Sequence, residues 1–83
     1  MYLVYILKSL SNNQYYIGCT DNITRRLNEH NKGLSKYTRN RGPWKLMYKE
    51  EFNNLGTARK REKQIKSWKK RAAIEKLINA AFV

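Results

Sequence analysis

Glu62 is the only acid in the run Arg59-Lys60-Arg61-Glu62-Lys63, four residues after Ala58 and three before Ile65. With Trp68 and Ala72, those apolar positions mark one stripe of a helix, and Glu62 falls on it. A carboxylate turned toward a core is costly unless it is ion-paired or binds a metal. Two readings are therefore open. One is a structural pair with a neighbouring Arg or Lys. The other is a ligand for Mg²⁺ or Mn²⁺, a hard cation that takes one or two carboxylates and completes its shell with water and phosphate oxygens. Arg26 and His30 are four residues apart and share a helix face. Arg26 could clamp a phosphate with two parallel hydrogen bonds. His30, the single histidine of the chain, could hold or shuttle a proton; the alternative is a solvated face with a partly buried imidazole. Tyr2, Tyr5, Tyr15 and Tyr16 crowd two short apolar runs. Tyrosine packs well in strands, but a phenol close to a cation can lose its proton more easily and then accept one.

The elements that would position these groups can be read from periodicity. Tyr2 to Leu7 is apolar throughout, as in a strand covered on both faces. Asn12-Asn13 tolerates positive φ and suits a tight turn. Gln14 to Gly18 then returns as a second strand. Thr20, Asp21 and Asn22 are N-cap residues, and Ile23 and Leu27 give the helical repeat, so a helix is expected from about Asn22 to Asn31, ending near Gly33. Gly33 to Pro43 has no period and reads as a loop. Trp44 to Phe52 reads as a third strand. Asn53-Asn54-Leu55-Gly56 reads as a turn, with Thr57 capping a second helix. A break is expected within Ser67 to Arg71, followed by a short helix marked by Ile74, Leu77 and Ile78. The order β-β-α-β-α-α predicts an α/β (α+β) fold: a small, three-stranded, mostly antiparallel sheet flanked by helices, in a single domain over residues 1–83.

Charge narrows the partners. The chain carries 18 Lys plus Arg against 6 Asp plus Glu, a formal net charge of +12. Almost all of it lies after residue 24. Charge of this sign and unevenness favours polyanions. A membrane surface is the weaker candidate, because it would want a stronger apolar face on a basic helix. One cysteine, Cys19, argues against a disulfide-stapled secreted domain and for a reducing, cytoplasmic setting. No apolar run approaches the roughly 20 residues that span a bilayer, and Tyr2 to Leu7 is too short for a signal peptide.

Leu3-Val4-Tyr5, Tyr16-Ile17-Gly18, Arg26, His30 and Glu62 together resemble the GIY-YIG nuclease superfamily, in particular small stand-alone members akin to the N-terminal nuclease domain of the C component of excinuclease ABC. Ten residues, Ile6 to Tyr15, separate the two half-motifs. The resemblance extends through Cys19-Thr20-Asp21-Asn22-Ile23, through Tyr37-Thr38-Arg39 and Gly42-Pro43-Trp44-Lys45-Leu46, to the helix from Ala58 to Trp68. Leu3 stands where the name-giving glycine of the first half-motif sits. The family often has an asparagine after the metal-binding helix; Asn79 is the nearest and is left unassigned.

The resemblance implies a metal-dependent endonuclease that hydrolyses phosphodiester bonds in nucleic acid, with DNA favoured over RNA but the choice left open, in repair or recombination. It implies one Mg²⁺ or Mn²⁺ ion on Glu62, Tyr5 as general base or its relay, and Tyr16 as a second active-site hydroxyl. Arg26 would contact the scissile phosphate, His30 would assist the proton transfer, and Gly18 would keep the site open. Lys36, Arg39, Arg41, Lys45, Lys60, Lys63, Lys66, Lys69, Lys70 and Arg71 would track the nucleic-acid backbone. Family members of this minimal size carry no separate recognition domain, so specificity is expected from a protein partner or a damaged or branched substrate structure, or not at all. The alternatives are a non-catalytic nucleic-acid binding module on the same fold and a basic adaptor for an acidic protein.

Overall fold

The computed structural model describes residues 1–81. The chain runs β1 (Tyr2–Ser9), β2 (Tyr15–Thr20), α1 (Ile23–Asn31), β3 (Trp44–Phe52), α2 (Leu55–Ser67) and α3 (Arg71–Ala80). The three strands form one antiparallel sheet in the order β2-β1-β3. The central place of β1 explains its unbroken apolar run. Leu3 to Leu7 are all buried, with alternate side chains entering two separate cores. Val4 and Ile6 join Ile17, Ala58, Ile65, Ile74 and Ile78 beneath α2 and α3. Tyr5 and Leu7 join Trp44 on the other face, with Tyr16, Ile23 and Leu27 packed around them.

The turns are made as the residue types dictate. Asn13 takes φ 64° between β1 and β2, and Ser9 N–H donates to the Gln14 carbonyl at 2.8 Å to close the hairpin. Asn22 caps α1 by accepting from Arg25 N–H at 3.0 Å, and Gly33, at φ 76°, follows its end. The cap of α2 is Asn54 rather than Thr57: its side chain accepts from Thr57 N–H at 2.8 Å. Leu55 and Gly56 therefore belong to the helix and not to a turn. Asn54 and Thr57 are both good caps by type, and the one on the extended backbone takes the role.

The expected break falls at Trp68–Lys70. It cuts the apolar stripe of α2 short. Trp68 packs against the core, but Ala72 lies in α3 and is exposed. The stretch 33–43 is less featureless than its composition suggests. Ser35 and Thr38 are buried within it, and Asn31 clamps its far end, accepting from Trp44 N–H at 2.7 Å and donating to the Trp44 carbonyl at 3.2 Å. Asn79, at the end of α3, is exposed.

Candidate active site

Strand alternation sends Tyr5 to the α1 face of the sheet, where its ring is 1% exposed. Gly18 is its partner across the β1–β2 ladder. A Cβ at Gly18 would stand 2.5 Å from Tyr5 Cζ and closer still to the hydroxyl. Only a residue without a side chain lets the tyrosine lean across β2. From α1, His30 meets it: Tyr5 Oη and His30 Nε2 are 3.0 Å apart. Tyr16 closes the group, its ring centroid 4.9 Å from His30 and 6.3 Å from Tyr5.

His30 is 1% exposed, and both ring nitrogens are occupied, since Nδ1 lies 2.7 Å from Thr38 Oγ1. The direction of these bonds depends on which ring nitrogen carries the proton. Thr38 is itself buried, and among the described residues the His30 ring is the acceptor its hydroxyl reaches. In one tautomer the Thr38 hydroxyl donates to Nδ1 and Nε2–H donates to Tyr5 Oη; in the other, Nδ1–H donates to Thr38 Oγ1 and the Tyr5 hydroxyl donates to Nε2. Thr38 is not among the residues whose type and spacing pointed to the site. It sits in Tyr37-Thr38-Arg39, which resembles the family, but nothing local ties it to His30 eight residues earlier.

Burial holds His30 well below its usual range, at about 4, and the neighbouring Arg26 charge adds to this while Glu29 opposes it. Burial pushes the Tyr5 phenol up to about 12, with help from Tyr16; Arg26 pulls it back by hydrogen bonding and charge, and Glu62 adds a small upward push. Arg26 and Tyr5 are therefore electrostatically coupled, as one site requires. Arg26 also donates to Glu29 Oε1 at 3.0 Å, a partner its spacing from His30 does not suggest. Arg25 turns away and pairs with Asp21 at 3.1 Å.

Glu62 comes from the opposite face. It rides on α2, which packs on β1 and on the edge strand β2. The register of α2 is held by Arg61, whose guanidinium grips both carboxylate oxygens of Glu50 on β3 at 3.0 to 3.2 Å and stacks on Trp68 with its Cζ 5.5 Å from the ring centre. Glu62 is not fully buried. Its side chain is 19% exposed, pairs with Lys66 Nζ at 2.8 Å, and lines an open cleft of about 470 Å³ with Arg59, Lys60, Lys63 and Lys66. Tyr5, Tyr16, Arg26 and His30 are thus brought into one cluster. Among the described residues Glu62 is not in hydrogen-bond contact with it, and acts on Tyr5 and Cys19 through its charge.

The remaining basic candidates, Lys36, Arg39, Arg41, Lys45, Lys60, Lys63, Lys69, Lys70 and Arg71, are exposed, as is Lys66, which is engaged with Glu62. Arg71 is engaged too, with its Cζ 4.4 Å from the Tyr15 ring centre and an ion pair to Glu75 at 3.6 Å.

A family model described as the GIY-YIG catalytic domain matches residues 1–77. The chain is 48% identical over 67 residues to a UPF0213 protein of Clostridium perfringens, covering 80% of this chain and 71% of that one. It is 42% identical over 76 residues to a UPF0213 protein of Natronomonas pharaonis, covering 90% and 87%. The solution NMR structure of a UPF0213 protein from Bacillus halodurans is similar at a TM-score of 0.61 and 33% identity, over 96% of this chain and 85% of that one. The expected α+β architecture and element order are those found.

Proposed function

The chain belongs to the GIY-YIG catalytic-domain family, a family of nucleases, and from that premise we propose that it is a divalent-metal-dependent endonuclease, acting on DNA in preference to RNA. The observation that supports this most is the convergence of Tyr5, Tyr16, Arg26 and His30 beside a strand edge where Glu62 lines an open basic cleft.

The residues fit a single hard cation. No group of three or more His, Cys, Asp or Glu side chains gathers among the described residues, so a metal there would rest on Glu62 and draw its other oxygens from water and phosphate. Magnesium accepts such a shell readily. When bound, the cation would offset charge on the phosphoryl oxygens. Its competitor for Glu62 is Lys66, which is half exposed; such pairs contribute about 0–1 kcal/mol and yield easily to a divalent ion.

Arg26 offsets the charge that grows on the phosphate. Tyr5 Oη first gives its own proton to solvent, a loss that burial opposes and the Arg26 charge favours, and the phenolate then takes the proton of the attacking water. His30 is a poor acceptor for the Tyr5 proton, because burial lowers the imidazole and raises the phenol, moving the two apart in acidity. It serves instead as a donor: Nε2–H and the Arg26 guanidinium both stabilise negative charge on Tyr5 Oη. Tyr16 supplies a second hydroxyl beside His30. The exposed basic residues track the backbone without reading sequence, and a partner protein or a damaged or branched substrate supplies specificity, as in repair or recombination.

The Glu62–Lys66 pair is the one observation that favours a binding module without catalysis, but the cleft beside it is open. The deciding experiment incubates the purified protein with Mg²⁺ or Mn²⁺ and single-stranded, duplex and branched DNA, and RNA. Cleavage by the wild type should vanish in Glu62→Ala and Arg26→Ala, with binding largely kept. Equal cleavage by Glu62→Ala would remove the metal-site assignment.

A further inference from the structure

Tyr37 is 72% exposed, although the segment around it is tied down. Its neighbour Thr38 is buried, and the Thr38 carbonyl accepts from Trp44 Nε1 at 3.1 Å. The Arg41 carbonyl accepts from the hydroxyls of both Ser9 and Ser11, and Leu10 N–H donates to the Pro43 carbonyl at 2.9 Å. The phenol is therefore presented to solvent from an anchored loop. With the backbone anchored in this way, only the side-chain rotamer has to be fixed when something stacks on the ring.

The ring faces a second cleft, of about 370 Å³, which it lines with Tyr16, Trp44, Arg41 and Lys66. Tyr16 ties this cleft to the Tyr5–His30 cluster. Lys66 ties it to the cleft that carries Glu62. Aromatic faces interleaved with cations, next to a candidate phosphodiester site, match a strand whose phosphates pass the cations and whose base lies on a ring. In a duplex both faces of each internal base are covered by its neighbours in the stack, so such a ring would have nothing to receive.

We infer that Tyr37 is a stacking platform for an unpaired nucleotide, and that the cleft it shares with Arg41 and Lys66 binds single-stranded nucleic acid in preference to duplex. The inference rests on the nucleic-acid reading above and gives it a substrate class. Stacking is indifferent to base identity and to sugar, so the preference is for unpaired structure and not for sequence.

The test measures binding of the full chain to a short fluorescein-labelled single strand, and to the same sequence as a duplex, by anisotropy at fixed salt in EDTA. Tyr37→Ala should weaken single-strand binding by about 5- to 150-fold. It should change duplex binding by less than about twofold. Tyr37→Phe, which keeps the ring, should stay within about twofold of wild type on both. A 2-aminopurine placed in the strand should be quenched by wild type and not by Tyr37→Ala. Equal losses on strand and duplex, or no loss on the strand, would overturn the inference. Because metal and cleavage play no part, the outcome is separable from the endonuclease reading. A chain that cleaves nothing in Mg²⁺ yet loses single-strand affinity with Tyr37→Ala keeps the platform and drops the enzyme.

Discussion

Replacing Thr38 by valine tests how the candidate base is oriented. The substitution keeps the shape of the side chain and removes only the hydroxyl that lies 2.7 Å from His30 Nδ1. Nδ1 is then left in a buried site without its partner, which costs about 1–3 kcal/mol. Thr38→Ser keeps the hydroxyl and loses a methyl, for about 0.8 kcal/mol. Urea denaturation reads both values. The second readout is specific to the argument. His30 is the single histidine of the chain, so its ring ¹⁵N resonances can be assigned without ambiguity. Wild type should show the proton on Nε2, facing Tyr5 Oη across 3.0 Å, and Thr38→Ser should keep it there. Thr38→Val should give a mixture of tautomers, because nothing then favours an acceptor at Nδ1. A wild-type spectrum with the proton on Nδ1 would refute the reasoning. The Tyr5 proton would then point at His30, and Tyr5 would have one donor fewer to stabilise its phenolate.

Gly18→Ala should destabilise the fold by about 1–3 kcal/mol, since the new Cβ would stand 2.5 Å from Tyr5 Cζ and Tyr5 is enclosed; unchanged stability and an unchanged His30 spectrum would show that the close approach is not needed. Stability should also depend on His30. Its folded value of about 4 lies below the ordinary 6.5, so between those values the unfolded chain binds the extra proton. The contribution is complete above pH 6.5 and is lost as pH falls toward 4, about 3 kcal/mol in all. The carboxylates titrate in the same window, so the measurement is the difference in slope between wild type and His30→Gln; identical slopes would contradict the depressed value. Duplex affinity should fall with salt by about 0.9 in log–log slope per phosphate neutralised, and a slope near zero would remove the nucleic-acid reading.

Much of the architecture is legible in the chain because its signals are local. An unbroken apolar run such as Leu3–Leu7 has few places to go except the middle of a sheet. Asn13 at a turn, Asn22 at a helix start and Gly33 after a helix end each answer to backbone geometry within a few residues. The differences arise where a local choice has more than one good answer. Asn54 and Thr57 can both cap a helix, and Ala72 fits the spacing of α2 only if the chain does not break at Trp68–Lys70.

The order of strands and helices along the chain, the net positive charge and the family all follow from residue types in sequence. So does the shared face of Arg26 and His30, because four residues make about one helical turn. What these groups touch depends on the packed fold. The β1–β2 register is what lets Gly18 make room for Tyr5. The way the 33–43 loop folds back over α1 is what brings the Thr38 hydroxyl to His30 Nδ1. A place on an apolar stripe does not say whether Glu62 is a buried pair or an accessible ligand. The fold gives it both a lysine partner and an open cleft.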